Sequence, residues 1–234
     1  MSAPIVELSG VTRVYTQGAV EVRALRGLDL ALMPGEFTAL VGPSGSGKTT
    51  ALNLVGALDR PTGGRVSIEG VDLSDLTEKE LSALRRDRIG FVFQSYNLIP
   101  VLTAFENAEA VLALQGVAPA ARKERVMALL DELGLADMAH RTPDALSGGQ
   151  QQRVAVARAI ASDPAIVLAD EPTANLDSET AERLLDVMRR LNRERGVTFL
   201  FSTHDPRVVA HARRVVEMVD GRVSTDTRRD AEPG

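Results

Sequence analysis

Apolar positions in the opening third fall in short blocks: IVELSGV, then VEVRAL, then FTALVG, with Pro34-Gly35 ahead of the last. Blocks of this length bounded by turn residues predict strands. The stretch TTALNLVGAL that follows reads as a helix, and RVSIEG and IGFVF as further short strands. From Ser95 to Leu146 the pattern becomes helical. Thr103 and Glu106 form a capping box ahead of an apolar run. Val126, Leu129, Leu130 and Leu133 make one stripe that Gly134 stops. Strands then return as AIVLA, TFLFS and RVVEMV. Between the first two, Ala181, Leu184, Leu185, Met188 and Leu191 share a helix face that ends at Gly196.

Strand, helix, strand order predicts a parallel sheet covered by helices, an α/β fold. One domain is expected over 4–224, with 4–94 and 147–224 as its α/β core and 95–146 as an inserted helical lobe. The polar tail 225–234 is expected to fray. A chain of 234 residues with 44% hydrophobic and 25% charged positions can bury such a core. The net charge of −5 argues against a free-standing nucleic-acid binder. With Cys 0 there are no disulfides, thiolate metal sites or cysteine nucleophiles. No signal peptide is expected at Met1–Gly10, and no apolar run approaches the ~20 residues of a membrane helix. Work at a membrane would then go through a partner.

GPSGSGKT, residues 42–49, fills every fixed position of a phosphate loop: Gly42, Gly47, Lys48 and Thr49. A polyphosphate needs many donors at short range. Gly42, Gly45 and Gly47 keep the curl free of bulk, Pro43, Ser44 and Ser46 lie between them, and exposed N–H groups at the helix start face the anion. Lys48 is expected to reach the terminal phosphates and the Thr49 hydroxyl to ligate magnesium. AIVLADE, residues 165–171, is a buried strand ending in two carboxylates. Unpaired burial would be costly, and a magnesium ion would resolve that cost for Asp170. Glu171 is then placed to take a proton from an attacking water. A bare turn before Pro172 is the alternative. Gln94 closes the strand IGFVF and His204 follows TFLFS, both at strand ends where ligands gather in such sheets. There a glutamine amide can touch both the metal and a water, and a histidine can donate to the γ-phosphate. His140 and His211 fit no motif and are expected to be solvated.

LSGGQQQR, residues 146–153, has two readings. Ser147 and Gln150 fit S-x-x-Q, a plain capping box. Yet Gly148 and Gly149 are poor helix formers in a first turn, where side chains would help the helix and hinder only a ligand approaching the backbone. The positive helix end suits an anion. Sequence physics leaves open whose phosphate that would be.

In order, the phosphate loop, Gln94, LSGGQ, AIVLADE, the NLD at 175–177 and His204 resemble the ATP-binding cassette ATPases over essentially the whole chain. The stretches ALRGLDL, IGFVFQSYNLIP and LADEPTANLDSET are most similar to the lipoprotein-releasing, macrolide-exporter and cell-division cassettes. The resemblance implies a P-loop NTPase core with a parallel sheet, an N-terminal antiparallel β subdomain and an inserted helical subdomain. It implies an ATPase using ATP and Mg2+, with Thr49, Gln94 and Asp170 at the metal and Gly42–Thr50 (Thr50 included) around the nucleotide. It implies a homodimer on ATP binding. In it Ser147, Gly148, Gly149 and Gln150 contact ATP in trans, Asp177 lines the seam, and Tyr15 stacks on adenine. A separate integral membrane permease would dock near Gln94–Pro100 and hold the chain at the inner face of the membrane, with no insertion of its own. An ATPase that regulates envelope or cell-division enzymes and transports nothing shares the same motifs. A chromosome ATPase would need a long coiled-coil insert between Lys48 and Ser147. A GTPase would need N-K-x-D, which is absent.

Overall fold

The computed structural model describes residues 3–18 and 20–229. Two long strands, β1 (Val6–Gln17) and β2 (Val20–Leu32), open the chain as an antiparallel hairpin. β3 (Phe37–Val41) then runs into the glycine loop and α1 (Lys48–Val55). β4 (Gly63–Ile68) and β5 (Val71–Asp72) return to the hairpin, giving a four-stranded sheet in the order β2-β1-β4-β5.

α2 (Glu78–Arg88) leads into β6 (Ile89–Val92). The sequence reading had no helix there, because α2 buries only Leu81 and so carries no apolar stripe. Its start was nonetheless written in Thr77 and Glu80, which form a complete capping box. Between Gln94 and Leu146 the described elements are helices and tight helical turns alone: α3 (Ala104–Leu114), capped by Thr103 and Glu106 as expected, and α4 (Pro119–Glu132). Leu133 caps α4 and Gly134, at φ +66°, ends it.

The chain continues through α5 (Gly148–Ile160), β7 (Ile166–Asp170), α6 (Ser178–Arg195), β8 (Phe199–Ser202), α7 (Pro206–His211), β9 (Arg214–Val219) and β10 (Arg222–Arg228). The second sheet has the order β10-β9-β3-β8-β7-β6, parallel except for β10 on β9. Alternate residues of its central strands feed two cores. Phe37, Ala39, Phe199 and Phe201 pack beneath α3 to α6, while Leu40, Leu168 and Leu200 face α1 and the antiparallel sheet. Burial on both faces explains why these strands read as continuous apolar blocks.

The polar tail begins later than expected. Thr225–Arg228 pair with β9, held by the buried Arg214, which bonds Asp226 Oδ1 at 2.9 Å and Oδ2 at 2.7 Å. Residues 230–234 of that tail lie outside the described residues. His211 also departs from expectation. It is largely buried, with Nε2 2.9 Å from Glu182 Oε2, because α7 lies against α6. Among the described residues no helix is long and apolar enough to cross a membrane.

Candidate nucleotide-binding site

The carboxyl ends of β3, β7 and β8 lie side by side, and the phosphate loop grows from the first of them. Gly42 and Gly47 have backbone of positive φ, and each is fitted to the chain's own neighbours. A Cβ on Gly42 would lie 2.2 Å from Met218 O, and one on Gly47 2.6 Å from Ala24 O. Only at Gly45, φ +79° with open space around it, is the conformation itself the whole requirement. α1 starts at Gly47 without a capping side chain, so the amides of Lys48, Thr49 and Thr50 have no side-chain acceptor. A helix end left open in this way is suited to an anion. Lys48 Nζ donates to Gly42 O at 2.8 Å and Pro43 O at 3.1 Å, centring its charge on the loop. Ser44 and Thr49 are exposed, whereas Ser46 is buried with an unpartnered hydroxyl.

Asp170 ends β7 opposite Ser202 of β8. Burial raises its pKa and the neighbouring Glu171 adds to the rise, while a Ser202 hydrogen bond and the Lys48 charge oppose it. The carboxylate is thus under-compensated and suited to a cation. Glu171 follows at φ +45°, its N–H donating to Ser202 O at 2.9 Å. This strained backbone turns its carboxylate onto the end of β8. There Thr203 Oγ1 donates at 3.1 Å and His204 N at 3.1 Å, and His204 Nδ1 lies 2.6 Å from Oε1. Lys48, Asp170, Glu171 and His204 therefore lie in one cluster.

Gln94 lies past the end of β6 in an exposed turn, its carbonyl accepting from Asn175 Nδ2 at 3.0 Å. Tyr15 stands on the other sheet. Its hydroxyl donates to Asp59 Oδ2 at 2.8 Å, and the Arg13 guanidinium, itself bonded to Asp59, lies 4.4 Å over the ring. One face of Tyr15 is thus occupied by Arg13. Sequence reasoning missed Asp59, which carries no local signal and reaches Tyr15 across 44 residues.

The glycine turn realises its first reading and corrects part of the second. Ser147 and Gln150 form both halves of the capping box: Gln150 N donates to Ser147 Oγ at 3.3 Å and Ser147 N to Gln150 Oε1 at 2.8 Å. The glycines do more than clear space for a ligand. A Cβ on Gly149 would lie 2.1 Å from Thr180 Cγ2, and one on Gly148 2.7 Å from the Tyr96 hydroxyl. Thr180 in turn gives its N–H to Asp177, the N-cap of α6. The Thr180 hydroxyl, and then its amide, hold the exposed Asp177 carboxyl below the usual carboxylate range. The turn and Asp177 are therefore built as one unit, where α5 meets α6.

Among the described residues no cluster of three or more His, Cys, Asp or Glu could hold a metal alone. A magnesium ion there would draw on few protein ligands and complete its shell with phosphate and water, its usual habit.

The profile of the ABC transporter family matches residues 25–174. The chain is 50% identical to the lipoprotein-releasing system ATP-binding protein LolD of Anaeromyxobacter dehalogenans, over 97% of this chain and 95% of that one. It is 48% identical to the macrolide export ATP-binding/permease protein MacB of Hyphomonas neptunium, over 97% of this chain. It spans 35% of that longer protein. Among solved structures, the ATP-binding cassette MJ0796, a dimer in a post-hydrolysis state with ADP and Pi, superposes with a TM-score of 0.88. The two are 43% identical, over 97% of this chain.

Proposed function

The chain belongs to the ABC transporter family and is an ATP-binding cassette ATPase, and from that premise we propose that it is the ATP-hydrolysing subunit of a membrane transport complex. Two copies would close on ATP and reopen after hydrolysis, driving a separate permease. The observation that carries this reading is the Asp170–Glu171 pair, set between the Lys48 loop and His204.

In this reading the amides of residues 44–50 and the Lys48 ammonium hold the β- and γ-phosphates. Thr49, Gln94 and Asp170 would hold magnesium, which when bound supplies positive charge to the terminal phosphates. Glu171 accepts the proton of the attacking water, and His204, in contact with that carboxylate, orients it. Tyr15 offers its free face to adenine. Ser147 to Gln150 of a second copy cover the γ-phosphate, and Asp177 lies in the seam between copies. The helical segment 95–146 serves as the subdomain that receives the permease, which would hold the chain at the inner face of the membrane. The identity to LolD and MacB supports an export or lipoprotein-extraction complex.

Glu171→Gln is expected to bind ATP, to lower kcat by ~10²–10⁴, and to accumulate as an ATP-bound dimer on size exclusion. Wild-type turnover in this variant, or a strictly monomeric profile with ATP, would overturn the assignment.

A further inference from the structure

Each side chain of Gln151–Arg153, immediately after the glycine turn, holds a backbone carbonyl of a different segment. Gln151 Nε2 donates to Leu146 O at 3.1 Å, and Arg153 Nη1 to Leu133 O at 2.9 Å. Gln152 Nε2 donates to Pro172 O at 2.7 Å and to Phe93 O at 3.3 Å. Gln152 stands apart from its neighbours in two respects. It is fully buried on α5, and both its acceptors adjoin site residues: Phe93 precedes Gln94, and Pro172 follows Glu171.

Gln152 Oε1 is buried without a partner. Turning the amide over would set that oxygen against two carbonyls, so the donor face is locked toward the two loops. Farther along α5, Arg158 extends the grip on the Gln94 loop. Its Nη2 donates to Tyr96 O at 2.9 Å and its Nη1 to Asn97 O at 2.5 Å. Those two residues hold positive φ, +62° and +49°. The backbone on both sides of Gln94 is therefore bonded to α5, the helix that starts with the glycine turn.

We propose that Gln152 is a positioning residue for hydrolysis: its amide holds the Gln94 and Glu171 loops in register with α5, so that these loops and the glycine turn move as one body. The idea deepens the reading above and rests on its assignment of Glu171 and of the glycine turn. It gives the third glutamine of LSGGQQQR a task distinct from that of Gln150, which closes the cap.

Gln152→Met keeps a similar volume and removes the donor. Its rates, expressed per chain competent to bind ATP so that any unfolded fraction drops out, are expected to show kcat lowered ~10–100-fold, the effect of a small misplacement of reacting groups. The ATP dissociation constant should stay within about twofold, since the phosphate loop is untouched. Gln152→Glu supplies the readout that a packing role would not move. Burial raises the pKa of a carboxyl, and its neutral form can donate to Pro172 O. The kcat of Gln152→Glu relative to wild type should therefore rise as pH falls from about 8 to about 6, while the Gln152→Met ratio stays flat. Unchanged kcat in Gln152→Met, an ATP affinity that falls in step with kcat, or a flat Gln152→Glu ratio would each overturn the proposal. Glu171→Gln assayed alongside keeps the two ideas separable: wild-type turnover there removes the base assignment whatever Gln152 does.

Discussion

A hydrogen atom is all that separates Gly149 from Thr180. With a Cβ 2.1 Å from Thr180 Cγ2, any side chain at 149 must push α5 away from α6. Gly149→Ala is expected to cost ~1–3 kcal/mol, as overpacking does, measured by urea unfolding. Thr180→Ala in the same chain removes the opposing methyl and should recover most of the loss. Absence of recovery would mean that Gly149 serves the backbone or a ligand alone. At this scale the phosphate loop, Asp170, Glu171 and His204 were legible because each motif is contiguous in sequence. Asp59 under Tyr15 and Gln152 behind both loops were not, since their partners are brought to them by strands and helices far along the chain.

Five helices open with a side-chain cap that satisfies first-turn amides: α2, α3, α5, α6 and α7. α1 and α4 lack such a cap: α4 has Pro119 in its first turn, whereas α1 leaves its first-turn amides open toward the phosphate loop. α5 combines both properties, a closed capping box and a positive end, and a substitution can separate them. Asp is as good an N-cap as Ser, so Ser147→Asp should change stability by less than about 0.5 kcal/mol. Its negative charge would repel a partner's γ-phosphate, so ATP-driven association in the Glu171→Gln background should be lost. Association that survives, judged by the mass from light scattering, would limit Ser147 to capping. Element by element, the apolar blocks foretold the central strands and α6, because burial on a fixed face leaves a periodic trace. α2 and β10 escaped notice: one fully buries Leu81 alone and starts on a capping box, the other is held by pairing and by Arg214 to Asp226.

At the scale of the molecule, the phosphate loop and the glycine turn are proposed to serve different nucleotides, which makes turnover a property of pairs. Lys48→Ala and Ser147→Arg chains, each inactive alone, should on mixing form heterodimers with one intact composite site. At equal concentrations about half the pairs are mixed, so activity should reach roughly a quarter of the wild-type level if sites act independently. A mixture no more active than its components would place the glycine turn outside the partner's site. α5 carries the glycine turn at one end and grips the Gln94 loop along its length, the link by which the two are proposed to move as one body.

The amino-acid sequence by itself determined the nucleotide chemistry, the α/β order and the family, because phosphate binding needs short contiguous loops whose glycines, lysine and carboxylates are written in a row. Tertiary structure alone decided why those glycines cannot be replaced, which face of Tyr15 is covered, and how Gln152 reaches past its own helix to two distant carbonyls. Those facts depend on distances between segments far apart along the chain, and such distances exist only once both cores have packed.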